Sequence, residues 1–183
     1  MQEILTGEFF WGVVIGLMLA FVSAWAQAEI ASRKQAKTAK STVARFCTDT
    51  IKNIQSVVSE MDRTRDRSRA IHHDFLMLIE VEVQIYGRNR EHLIHLPDEL
   101  RGQVREFMND IAVKRAEVAN KLTDFCQMNN QASQLQVQGA GSQASRLQSD
   151  SIVPLGEAQK AADKLVTISK DCSALVDKLA AIE

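Results

Sequence analysis

The 183-residue chain carries 22 Lys and Arg against 23 Asp and Glu, and only 5% of it is aromatic. With 8 Gly and 2 Pro, it is poor in the β-branched and aromatic runs and turn residues that sheet proteins draw on, so an all-α fold is expected. The formal charge of −1 becomes +1 once Glu3 and Glu8 are set aside. That balance speaks against a nucleic-acid partner, because affinity for phosphate backbones comes from clustered positive charge.

After a short N-terminus (residues 1–8), residues 9–28 read FFWGVVIGLMLAFVSAWAQA and contain no charge. At about 1.5 Å per residue the stretch spans roughly 30 Å, the hydrocarbon thickness of a bilayer, and predicts a transmembrane helix. Phe9, Phe10 and Trp11 at one end and Trp25 at the other suit the two interfaces. Arg33, Lys34, Lys37, Lys40 and Arg45 follow the span, whereas MQEILTGE before it has two acids and no base. The positive-inside rule therefore places the N-terminus outside and the body in the cytoplasm, as in a single-pass protein of the bacterial inner membrane. The opposing feature is the small-residue tail, since Ala24-Trp25-Ala26 and Ala26-Gln27-Ala28 have the form of a signal-peptide cleavage site.

Gly12, Gly16, Ala20, Ala24 and Ala28 repeat every fourth position and form a face on which a second helix can approach closely in lipid. Arg33, Lys34, Lys37 and Lys40 stand just beyond the span and read either as a topology signal alone or as contacts to anionic headgroups, each worth roughly 1 kcal/mol near the surface.

Residues 29–126 are expected to form a helical bundle, with a long first helix, a hairpin near 87–96 and a second long helix. Val43, Cys47, Thr50, Ile54, Val57 and Met61 step by 4 and 3 residues, and Phe46, Ile51 and Val58 widen the seam beyond what a bare two-stranded coil uses. The seam ends in the basic run Arg63, Arg65, Arg67, Arg69, about 50 Å from the span if the helix is straight. That exceeds the Debye length of about 8 Å several-fold, so the run reads as a solvated face or an elbow rather than a lipid contact. A second segment, about 70–86, is apolar through Ile71, Phe75, Leu76, Leu78, Ile79, Val83, Ile85 and Tyr86. Its alternation over 79–85 has the period of a strand, but no second strand exists to pair with it, so helix is expected. The sequence leaves open whether these first two segments are one helix. Gly87-Arg88-Asn89-Arg90 reads as a break, and Pro97-Asp98-Glu99 as a helix start.

The third segment, about 97–129, carries Leu100, Val104, Phe107, Met108, Ile111, Val118, Leu122, Phe125 and Cys126 on one stripe. Residues 127–153, rich in Gln, Ser and Gly, predict a linker, either flexible or a frayed helical extension. Residues 154–183 are expected to add a C-terminal amphipathic helix along Ala158, Ala162, Leu165, Ser169, Cys172, Val176 and Leu179, packed on the bundle. The fold class is thus all-α: an N-terminal transmembrane helix, then an antiparallel three- to four-helix bundle or coiled-coil-like domain.

No phosphate loop, dinucleotide fingerprint, nucleophile elbow or zincin motif occurs. Cys47, Cys126 and Cys172 lie far apart without the spacing of a zinc site and are expected as reduced, partly buried thiols. His72-His73-Asp74 and His92-x-x-His95 are the only candidates for acid–base or metal chemistry. His92 and His95 can share one ion, yet a third and fourth ligand are missing, so no metal, cofactor or catalytic residue is expected. The layout is similar to that of small single-span bacterial proteins with helical cytoplasmic bodies, a likeness that rests on no diagnostic motif.

The expectation is a non-catalytic, membrane-anchored scaffold or protein-interaction module. Its partners would be the lipid bilayer and either a second copy or another membrane or cytoplasmic protein. Two rivals stand beside it: a periplasm-facing sensor or envelope-spanning spacer, and a metal-dependent enzyme built on His72, His73, His92 and His95.

Overall fold

The computed structural model describes the backbone of residues 2–68 and 70–182 and the side chains of residues 21–67 and 70–182. Within these bounds every element is helical: α1 (Gln2–Ser68), α2 (His73–Asn89), a 3₁₀ turn (Arg90–His95), α3 (Asp98–Val137), α4 (Gly141–Asp171) and α5 (Ser173–Ala180). α1 packs on α2 along one flank and on α4 and α5 along the other, α2 on α3, and α3 on α4. Short connections make successive helices antiparallel, and the ring closes as an up-and-down four-helix bundle.

The α1 seam explains the closure. Val43, Ala44, Cys47, Ile51, Ile54, Val58 and Met61 are all buried, and so are Thr48 and Thr50 to either side. At 100° per residue these positions cover well over a third of the helix circumference, too broad a face for one partner to cover. Two polar clamps hold the second flank. Gln55 Nε2 donates to the Ser169 carbonyl at 3.0 Å and to Cys172 Sγ at 3.2 Å. Arg65 is 15% exposed and reaches Asp62 at 2.6 Å and Asp163 on α4 at 2.7 Å. The Asp163 contact lacks hydrogen-bond geometry at Nη1 and is a Coulombic pairing. On the first flank Asn53 donates to Glu82 at 3.1 Å. Arg115 joins α3 to α2 through the Leu76 carbonyl at 3.1 Å and Glu80 at 2.9 Å.

One open question is answered and three expectations change. The first two apolar segments are separate helices, with non-helical residues 70–72 preceding α2. Gly87 lies inside α2, which continues to Asn89, so the break comes three residues later than its composition suggests. The segment 127–153 is not a flexible linker; of the two alternatives the helical one holds. α3 runs on to Val137 and α4 begins at Gly141, so both arms are helical. The reversal itself is confined to Gln138–Ala140. Gly139 sits at φ 81, and the Ala140 and Gly139 amides bond the Leu135 and Gln136 carbonyls. That is a Schellman cap, in which the left-handed residue is Gly because a Cβ would be strained there. Finally, Pro154 lies within α4 rather than at its start.

From that turn α3 and α4 keep one register. Ser151 lies 3.4 Å from Asn129, Lys121 pairs with Glu157 at 2.6 Å, and on α5 Lys178 reaches Glu99 at 3.4 Å. The hairpin runs past the end of α1, with only Ala132, Ala144 and Ser151 buried there.

The predicted span falls mostly outside the described side chains, including Gly12, Gly16 and Ala20. Among the described residues no helix is long and apolar enough to cross a membrane.

Ile54 is completely buried, and Ile54→Ala is expected to lower stability by about 2–5 kcal/mol through lost burial and a residual cavity. The Thr48 hydroxyl is buried and finds no hydrogen-bond partner among the described residues. Thr48→Val removes that unmet polar group and is expected to leave stability unchanged or raise it by about 1 kcal/mol. Chemical denaturation of the full chain in detergent, followed by helical circular dichroism, measures both.

Candidate functional site

The 3₁₀ turn is built by its neighbours. Pro97 holds the preceding Leu96 in extended backbone (φ −83, ψ 152), which stops any helix from running through. Leu93 and Leu96 are buried at the end of the bundle, and the Leu96 amide bonds the Leu93 carbonyl at 2.9 Å. Residues three apart eclipse in a 3₁₀ turn. With Leu93 and Leu96 turned inward, His92 and His95 stay together on the outer side, both exposed.

Those two histidines and Asn89 form one wall of a groove of about 800 Å³. α1 supplies the other wall with Ala31, Lys34, Gln35, Thr38, Ala39, Thr42, Val43 and Phe46. The α1 wall is a helical stripe, stepping by three and four residues over about 22 Å. Its threonines turn their hydroxyls inward to their own backbone: Thr38 donates to the Lys34 carbonyl at 3.0 Å and Thr42 to the Thr38 carbonyl at 2.9 Å. The wall therefore presents mainly methyl groups, small side chains and the Phe46 ring. Lys34 is the one lysine in the lining, and no carboxylate lines the groove. Glu91 stands outside it, 3.9 Å from His92.

Of the four bases singled out for headgroup contact, only Lys34 borders the groove. Arg33 pairs with Glu29 at 2.8 Å along the helix, and Lys37 and Lys40 face elsewhere. Ala24 and Ala28, the described members of the small-residue face, are exposed. Helical spacing puts them on the same side of α1 as the groove stripe. Sequence reading missed that continuity, although the spacing from Ala24 through Ala28, Ala31, Gln35 and Thr42 carries it.

The histidines do not converge. His72 and His73 stand at the start of α2 and His92 and His95 beyond its end, about 25 Å apart along the helix. His72 instead packs edge-on against Phe75, with ring centres 6.3 Å apart. Among the described residues no three His, Cys, Asp or Glu side chains are grouped to hold a metal ion.

Cys47 and Cys172 are buried and Cys126 is exposed. Burial pushes the Cys47 thiol up from 9.0 to about 12 and raises Cys172 as well. Burial also raises Tyr86, with the neighbouring Cys47 as the next contribution. Cys126 lies instead in an open cleft of about 480 Å³ at the opposite end of the bundle, beside Ile71, Phe125 and Leu155.

An up-and-down bundle with an extended helical hairpin is a class defined by architecture and host to many activities. No protein-family model matches the chain, and neither a curated protein nor a solved structure is similar to it.

Maleimide labelling at pH 8 is expected to modify Cys126 within minutes and Cys47 and Cys172 only after unfolding, as read by peptide mass spectrometry. The folded Cys47 keeps its proton above its ordinary value of 9.0, while the unfolded chain releases it. The stability this thiol contributes is therefore whole below pH 9 and falls as the pH rises from 9 to about 12. In Cys47→Ala that part of the alkaline decline should disappear.

Proposed function

We propose that the chain is a single-pass membrane protein of the bacterial inner membrane. Its helical body faces the cytoplasm and acts as a scaffold or interaction module without catalysis. One observation carries the reading. Phe21, Val22, Trp25 and Ile30 are 76%, 59%, 65% and 67% exposed on a part of α1 that stands clear of the bundle. Four large apolar side chains on a lone helix are costly in water and stable in lipid or against another helix. The exposed side chains continue the apolar residues 9–20, and the basic cluster that begins at Arg33 follows them.

Interaction is favoured by a second uncovered face. Met77, Leu78, Val81 and Ile85 step along the outer side of α2 and are all exposed. A helix that packs its inner face and still offers an apolar outer stripe suits partner binding rather than isolation.

Association through the small-residue face predicts that Gly16→Ile weakens the signal in a membrane two-hybrid assay, since a branched side chain keeps the backbones apart. An unchanged signal removes that contact. Orientation is read from Cys126, the exposed thiol. A membrane-impermeant maleimide should label it only after the inner membrane is permeabilised. Labelling once the outer membrane alone is opened would instead place the body in the periplasm.

A further inference from the structure

The groove between α1 and the 3₁₀ turn lies at the end of the bundle from which α1 departs toward residues 9–28. Three features of its lining limit what it can hold. The α1 wall is methyl-rich and ends on Phe46, so an occupant needs an apolar part. The lining carries Lys34, His92 and His95 and no carboxylate of its own, with Glu91 standing outside it against His92, so Lys34 is the charge an occupant meets and a negative group suits it. A volume of about 800 Å³ falls within the range of small-molecule and lipid sites, roughly 300–1,000 Å³.

A second copy of α1, packed through the same stripe, would bring its own Lys34 against this one, and like charges in contact oppose association. Lys34 has no ion-pair partner among the described residues, whereas Arg33 next to it is held by Glu29.

We infer that this groove binds an acidic phospholipid. The lipid's phosphate meets the basic side chains that border the groove, Lys34 foremost with His92 and His95, and its apolar part, turned out of the bilayer, rests on Ala39, Val43 and Phe46. The inference builds on the anchored reading above, because location is what makes lipid the anion at hand. Lys34 stands six residues, about 9 Å, beyond residue 28. That is close to the outer limit of the headgroup zone, and a lysine stem can bend back toward it.

The test uses the full chain in detergent doped with equal amounts of phosphatidylglycerol and phosphatidylcholine, with bound lipid counted by native mass spectrometry. Phosphatidylglycerol is expected to be retained at least about fivefold over phosphatidylcholine, the factor one surface cation supplies. Lys34→Ala combined with His92→Ala and His95→Ala should abolish the preference. Lys37→Ala combined with Lys40→Ala, outside the lining, should keep it. All five positions are surface ones, and circular dichroism checks that each variant folds.

Equal retention of the two lipids overturns the inference. So does an equal loss in both variants, which would mean general surface attraction. Competition by millimolar glycerol phosphate or by an acidic peptide, with no loss of competition on removing the lipid tail, would overturn lipid in favour of a soluble anion. Carbonate extraction of the native membranes tests the anchor separately. Protein that stays in the pellet but shows no lipid preference loses the groove alone. Protein that is released yet keeps the preference retains the groove and loses the anchor.

Discussion

α3 and α4 face each other along almost their whole length, and the position of every other helix follows from that pairing. The three-residue reversal at Gln138–Ala140 sets their offset, and the offset is still kept where Lys178 reaches Glu99 near the other end. α1 lies across the bundle from α3, between α2 and the α4–α5 arm, with a face broad enough to touch both. Most of the packing is aliphatic, and polar groups that cross between helices sit at the edges of the core. Arg65, Arg115 and Gln55 each reach a neighbouring helix, which favours one arrangement of the helices over rotated alternatives.

Apolar spacing made much of this legible in the sequence. The stripes on α1 and α4, and that on α3 as far as Val118, point where they were expected to point, because each is wide and strongly periodic. Beyond Val118, Leu122 and Phe125 are half-buried, and Cys126, expected as a partly buried thiol, is exposed. α2 was harder to read. It is apolar on most of its circumference, and nothing local says which half turns inward. Leu76, Ile79 and Tyr86 do, while Leu78 and Ile85 stay outside. The Gln- and Ser-rich arms also misled, since composition suggests a linker where two weakly apolar helices hold each other through alanines such as Ala132 and Ala144. Small residues leave little hydrophobic signal even where they permit close packing.

The groove was out of reach for another reason. Its α1 wall is periodic and visible in sequence, but its other wall depends on how Leu93 and Leu96 anchor a turn some 50 residues further on. His92 and His95 attracted attention as a pair with metal-like spacing. The fold gives that pairing a different cause, which is that two leucines at the same spacing are pulled inward. The histidines are what the turn has left to show. Their setting is a groove whose other wall is rich in methyl groups and carries Lys34.

The length of α1 has a mechanical consequence. From residue 28 to its end at Ser68 the helix is an unbroken rod of about 60 Å, with neither Gly nor Pro to act as a joint. Only its later part is gripped by the bundle, from Val43 onward. A rod held in this way behaves as a lever. A change of roughly 10° in its inclination near residue 28 sweeps the far end through about 10 Å, carrying with it the α3–α4 tip. Angular change near residue 28 is thereby converted into displacement at the opposite end of the molecule.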